Sequence, residues 1–392
     1  EELHVVIQQV ECFLQDLAKR AQPKAKQERQ CLADLAKQDG IDTLQPWDIA
    51  YYSEKLKQER YCISDNMLRP YFPIEHVLNG LFSLTTKLYG LAIKQNSHIE
   101  TWHDNAHFYQ VYNASGQLIA GFYIDLYARE GKRSGAWMDD LGTRYRDSAG
   151  TLHLPIAYLT CNFTPPTHDQ PALLTHDEIV TLFHEFGHTV HHLLSNIEHY
   201  DVSGIHGVPW DGVELPSQFM ENFCWQQPIL QQLSCHIDNG QPLPKALFKQ
   251  LSASRQFNNG LHILRQVEFA LFDLAIHRQA DHSSQAVQHQ LNQIRQKIAV
   301  IQPPQYTRFQ NSFSHIFGGG YAAGYFSYLW AEVLSADAFS VFEENGITDT
   351  HTSHRFRDII LAPGGSIDLM AAFTAFRGRE PDIDALLKHL GL

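Results

Sequence analysis

The sequence has no uninterrupted apolar run of roughly 20 residues, so no membrane-spanning helix is expected. It has no concentration of Lys and Arg. Its 30 basic side chains face 43 acidic ones, a formal net charge of −13. A phosphate-binding surface needs clustered positive charge, so no nucleic-acid partner is expected. The six cysteines, Cys12, Cys31, Cys62, Cys161, Cys224 and Cys235, form no CxxC pair. Thiols scattered in this way argue for a reducing, cytoplasmic setting over a disulfide framework. There is no low-complexity tract, no repeat of fixed period and no Ser/Gly linker. The opening Glu1-Glu2-Leu3-His4 carries neither an initiator Met nor a signal-peptide pattern, so the chain is expected to start inside a longer product or after processing. Nothing calls for a partner chain, and a monomer is the expectation.

What is present is an ordinary globular composition, 44% hydrophobic and 19% charged, with an unusual 23 histidines. At 392 residues the chain is long for one compact core and suggests several substructures. The histidines raise the prospect of a metal or acid–base site. Leu3, Val6, Ile7 and Val10 recur at helical spacing, and Pro23 predicts a break, giving two helices over residues 3–38. Residues 47–66 and 73–95 also read as helical. Phe108–Tyr112, Ile119–Leu126 and Ile156–Phe163 read as strands, with a hairpin at Asn113–Gly116 between the first two. After about residue 176 the pattern is helical again. The expectation is a mainly α (α+β) protein with a helical segment over residues 1–95. A second region, 96–392, holds a small sheet (107–163), a central helix (176–195) and C-terminal helices.

The central helix carries Thr181-Leu-Phe-His184-Glu185-Phe-Gly-His188. Side chains four apart lie one turn apart on one helical face, so two imidazoles at this spacing converge on one ion. The Glu beside the first His then reaches a water on that ion. Thr175-His-Asp-Glu178 matches a capping box and predicts a helix start near residue 176. HExxH alone also fits two ordinary helix histidines, so a third ligand decides the matter, since catalytic zinc has three protein ligands and one open position. His191 lies seven residues from His184, about 10 Å along a helix axis, too far to share an ion with it. Glu214, in Trp210-Asp-Gly-Val-Glu214-Leu-Pro-Ser-Gln-Phe-Met-Glu221, completes a His/His/Glu set. Glu214 equally fits a carboxylate favoured at a helix start. The intervening stretch, His199–Trp210 with Gly204 and Gly207, reads as a lid or a plain connection.

A second constellation is His315-Ile-Phe-Gly-Gly-Gly-Tyr321-Ala-Ala-Gly-Tyr325-Phe-Ser-Tyr328. Spacing of i, i+4, i+7 predicts three phenols on one helical face after a Gly-rich turn. Phenols and an imidazole can donate to an oxyanion. An aromatic core stripe is the competing reading, although each buried hydroxyl would then need a partner.

The segments HEFGHTVHHL, DGVELPSQFMENF, SHIFGGGYAAGYFSYLWAEVLSADAF and GREPDIDALLKHLGL, in this order, resemble the thimet oligopeptidase family of zinc metallopeptidases over most of the chain after about residue 70. The resemblance implies a zincin-like helical body lining a substrate channel, and a zinc endopeptidase acting on short peptides. It implies Zn2+ on His184, His188 and Glu214, Glu185 as general base, and His315, Tyr321, Tyr325 and Tyr328 at substrate and transition state. Family members are longer by a helical N-terminal portion, so this chain alone is expected to be less active. Two further readings share the site. One is a zinc and peptide binder with little or no turnover, which would have no need of Glu185; the other is an exopeptidase.

Overall fold

The structure, a computed structural model, describes the backbone from Glu2 to Leu392 and side chains from Val6 onward. Five helices carry the argument: α1 (Glu2–Gln38), α2 (His176–Leu193), α3 (Leu215–Glu221), α4 (Asn259–Arg278) and α5 (Ser327–Asn345). The chain forms two compact units. One takes residues up to Ser64, Gln250–Trp330 and Leu386–Leu392; the other takes Asp65–Lys249 and Ala331–Ala385.

In the first unit α1 runs unbroken through Pro23, where two helices were expected. A proline inside a helix costs about 3 kcal/mol through its missing N–H and ring clash. Here burial outweighs that: Leu14, Leu17, Ala21, Ala25 and Leu32 are all fully buried. Gly260 brings α4 close, since a Cβ there would lie 2.5 Å from the Ala25 backbone nitrogen. Glu28 then caps α4, accepting from the N–H of Gly260 (3.3 Å) and Leu261 (2.9 Å).

The second unit is built on a five-stranded sheet of β1 (Ala92–Gln95), β2 (Ala106–Tyr112), β3 (Leu118–Tyr127), β4 (Trp137–Gly142) and β5 (Ile156–Phe163) in the order β1-β2-β3-β5-β4. Only the β3–β5 pair is parallel. The three strands read from the sequence are present, with the hairpin at Asn113–Gly116. Two were not expected. The helix over 73–95 stops at Tyr89 because Gly90 takes a left-handed φ of +72°, and the following residues become β1. The edge strand β4 has no hydrophobic alternation and owes its extended form to pairing with β5. Phe122 of β3 and Phe186 of α2, both fully buried, meet edge-on at 5.9 Å and seat α2 on the sheet. The expected architecture, mainly helical with a small sheet beside the HExxH helix, is the one observed. No described helix is long and apolar enough to cross a membrane.

Candidate metal centre

Helix α2 begins where the capping box places it. Thr175 Oγ1 accepts from the Glu178 N–H (3.1 Å), and Glu178 Oε2 accepts from the Thr175 N–H (2.8 Å). Ile179, Leu182, Phe183, Phe186 and Val190 face the core, which turns His184 and His188 together toward the other side of the helix.

The Trp210–Glu221 stretch is not one helix. A short turn, Trp210–Val213, ends at Glu214 (φ −84°, ψ −6°), and α3 starts at Leu215 with Pro216 in its first turn. Glu214 sits at this joint, 2% exposed, and points at both histidines. Its Oε2 lies 3.2 Å from His184 Nε2 and 3.1 Å from His188 Nε2. One ligand atom from each residue lies within 4.8 Å of the others. Ser217 Oγ donates to the same carboxylate oxygen at 2.9 Å and fixes its orientation. Gly187, between the two histidines, is what lets α3 come so near: a Cβ there would stand 2.5 Å from both the Pro216 carbonyl oxygen and the Ser217 Cα.

The set fits a borderline divalent cation. Two imidazole nitrogens and one carboxylate oxygen are a tetrahedral zinc donor set with one position left for water or substrate. His184 Nδ1 lies 2.6 Å from Glu221 Oε1, so the proton belongs on Nδ1 and the Nε2 lone pair faces the cluster. Burial disfavours a charged His184, but hydrogen bonds and charge from Glu214 and Glu221 outweigh it and raise its pKa. Burial would raise Glu214 too, but the attraction of His188 and bonds from His184 and His188 hold it well below the usual carboxylate range. A cation bound here would take over that role by displacing a proton.

Glu185 is 6% exposed. Burial raises its pKa, the nearby His184 and His188 oppose this, and the N–H of Met138 in β4 hydrogen-bonds to it. Another carboxyl, Glu332, is pushed up to about 8 by burial and then by the charge of Glu221. Sequence reasoning did not single out Glu221 as the partner of His184. The signal available was its seven-residue spacing from Glu214, two turns along.

His191 stays outside the cluster. It is buried, its Nδ1 makes no hydrogen bond, and burial followed by the neighbouring His188 and His192 pushes its pKa down to about 3. The stretch after α2 is a packed connection. His206 Nε2 lies 3.1 Å from Asp140 Oδ2, a Cβ on Gly204 would meet the His192 ring at 2.4 Å, and one on Gly365 would meet the His206 carbonyl oxygen at 2.4 Å.

His315, Tyr321, Tyr325 and Tyr328 come together in the other compact unit, though not on one helical face. Of the three tyrosines only Tyr328 is helical, in the first turn of α5; His315 lies in the short helix Ser314–Phe317. Three glycines, with Gly320 at φ +88°, and Ala323 at φ +56° unwind the stretch between. The rings still gather. Tyr321 stacks on Tyr328 at 4.9 Å, Tyr325 lies 5.1 Å from Tyr328, and His315 lies 5.8 Å from Tyr325.

Against known proteins, residues 3–392 match the profile of Peptidase family M3. The chain is similar to Oligopeptidase A of Escherichia coli (strain K12), 52% identical over 387 residues that cover 98% of this chain and 57% of that protein. It is 42% identical over 399 residues to the Probable cytosolic oligopeptidase A of Arabidopsis thaliana, covering 98% and 57%. It is 33% identical over 389 residues to the Dipeptidyl carboxypeptidase of E. coli, covering 97% and 56%. Among solved structures, PZ peptidase A with inhibitor 2 shares the fold at a TM-score of 0.51 and 15% identity, over 92% of this chain and 57% of that one. The chain thus spans little more than half the length of these curated relatives.

Proposed function

Because the chain belongs to peptidase family M3, we propose that it is the catalytic portion of a zinc-dependent endopeptidase that hydrolyses short oligopeptides. The observation that carries this reading is the convergence of His184, His188 and Glu214, with the buried Glu185 next to the first of them. His184, His188 and Glu214 would hold Zn2+. When bound, the metal supplies Lewis acidity and brings the pKa of a water in its open position toward ~7.

Glu185 does the proton work. Its raised pKa, set by burial, moves it toward the range where one carboxyl both accepts and returns a proton near neutrality. It takes the proton of the attacking water as the C–O bond forms. It then delivers that proton to the amine nitrogen as the C–N bond breaks, so no covalent enzyme intermediate is needed. Glu221 holds His184 in the tautomer that leaves Nε2 free. Tyr325, Tyr328 and His315 are assigned to the tetrahedral oxyanion, and Tyr321 with His315 to the bound peptide. Cytoplasmic peptides are the expected substrates of a monomeric enzyme.

Two other outcomes stay in view. One relative carries the name dipeptidyl carboxypeptidase, and the chain covers 57% of Oligopeptidase A. A peptide library is incubated with this chain, and with a chain extended to the length of its relatives, and the products are mapped by mass spectrometry. Internal cleavage of short peptides by the extended chain, with slower turnover by this one, is the expected result. Release of C-terminal dipeptides alone would replace the endopeptidase reading. Zinc and peptide binding without turnover in either chain would make the protein a binder.

A further inference from the structure

The unwound stretch that carries the tyrosines has no helical ladder to fix it, yet its backbone is tightly specified from one side chain. Asp273, fully buried on α4, accepts the N–H of Ala323 on Oδ1 and the N–H of Tyr325 on Oδ2, each at 2.9 Å. His277, one turn on, places Nδ1 2.9 Å from the same Oδ1. A buried carboxylate is costly unless its lone pairs are engaged, and here three donors engage them. One of the donors belongs to Ala323, whose φ of +56° is a conformation that a residue with a Cβ rarely takes without an outside constraint. The side chain of Tyr325 reaches α4 as well: its hydroxyl donates to Gln266 Oε1 at 2.9 Å, two turns before Asp273, and this single O–H must turn from Gln266 to donate to an oxyanion. Tyr325 is thus held at both ends by one helix.

We propose that Asp273 is a positioning residue for hydrolysis, holding the backbone at Ala323 and Tyr325 so that the Tyr325 phenol is presented in one place. The inference rests on the reading of Tyr325 as an oxyanion donor. A carboxylate suits the task because it is acceptor-only. Asparagine has the same shape, but its NH2 would face one of the two amide N–H groups and leave that group without an acceptor.

The test is a double-mutant cycle on the chain extended to the length of its relatives, with D273N, Y325F and the pair. The readouts are kcat and KM on a quenched fluorescent peptide, bound zinc, and amide hydrogen exchange over residues 318–328. D273N should lower kcat by roughly 10²-fold, the scale of an ångström-sized misplacement. KM and zinc content should stay near wild type, and exchange at Ala323 and Tyr325 should speed up. In the Y325F background D273N should cost less than about threefold more, because both changes remove the same contribution. Equal losses from D273N in both backgrounds, or wild-type kcat in D273N, would overturn the positioning role while leaving Tyr325 in place. Wild-type kcat in Y325F would instead overturn the reading of the tyrosine, and the inference with it. If D273N does not fold, D273E enters the same cycle: it keeps the charge but moves the carboxylate by one methylene, and the same outcomes decide.

Discussion

The metal cluster and the tyrosine cluster hold their side chains in opposite ways. His184 and His188 stand on consecutive turns of a regular, capped helix, and Glu214 is brought in by a second helix pressed against it. The tyrosines stand mostly on irregular backbone that a buried carboxylate pins from another helix. Ligand atoms must meet one ion within tenths of an ångström, and a helix supplies that tolerance through its own geometry. A hydrogen-bond donor accepts a broader range of positions, so a turn under local constraint suffices. Side-chain placement in the first region therefore depends on secondary structure, and in the second on a few long-range polar contacts.

The sharpest way to break this contrast is at Glu185. E185Q should retain metal and fold and lower kcat by roughly 10²–10⁴-fold, the usual contribution of a positioned general base. A bound-metal variant with near-normal kcat would remove Glu185 from the chemistry. In the tyrosine region, Y325F or Y328F should lower kcat by roughly 10²–10³-fold and move KM less, since a bond to an oxyanion exists mainly in the transition state. A fall in melting temperature with kcat preserved would return these rings to the role of a core stripe. On the metal side, E221Q should weaken zinc affinity by roughly 10–100-fold, because the partner of His184 Nδ1 orients the ligand and raises its basicity. Unchanged affinity in a chelator competition would show that His184 needs no orienting group.

The smallest effect separates two buried carboxylates, one in each unit. Asp125, at the end of β3, has its carboxyl at about 2: burial would raise it, but Arg129, Lys132 and Trp102 outweigh burial. Its folded pKa lies below the unfolded value near ~3.9. Its stabilising contribution is therefore complete above about pH 4 and lost as pH falls toward about 2. Asp273 has the other sign. Burial raises it more than the N–H groups of Tyr325 and Ala323 and His277 lower it, so it opposes folding at neutral pH and does so less in acid. Melting temperatures from pH 6 to pH 2 should fall more steeply for the wild type than for D125N. For D273N they should fall at least as steeply as for the wild type. The reverse order would show that local pairing does not govern either group.

Much of the metal region is legible in the sequence because its information is local. A capping box, a 3.6-residue period and a four-residue histidine spacing all act within α2. Glu214 follows from the need for a third ligand. What escapes is set by contacts between distant residues. Glu221 finds His184 across 37 positions, β4 exists through its pairing with β5, and Asp273 reaches Tyr325 across 52. Local rules also mislead where packing overrides them. Pro23 signals a break that burial along α1 overcomes, and the tyrosine period signals a helix that the glycines before it do not allow.

Gly187 has a consequence for how the protein tolerates sequence change. The two ligand-bearing helices meet there backbone against backbone, so peptide geometry rather than side-chain volume sets their separation. A change in a large ring nearby, such as Phe186 or Phe219, alters core volume without acting directly on this backbone contact, and so should disturb the spacing between His188 and Glu214 less than a side chain added at Gly187. The metal cluster is insulated from drift in the core that carries it, and the whole burden of that insulation falls on a single position that cannot itself drift.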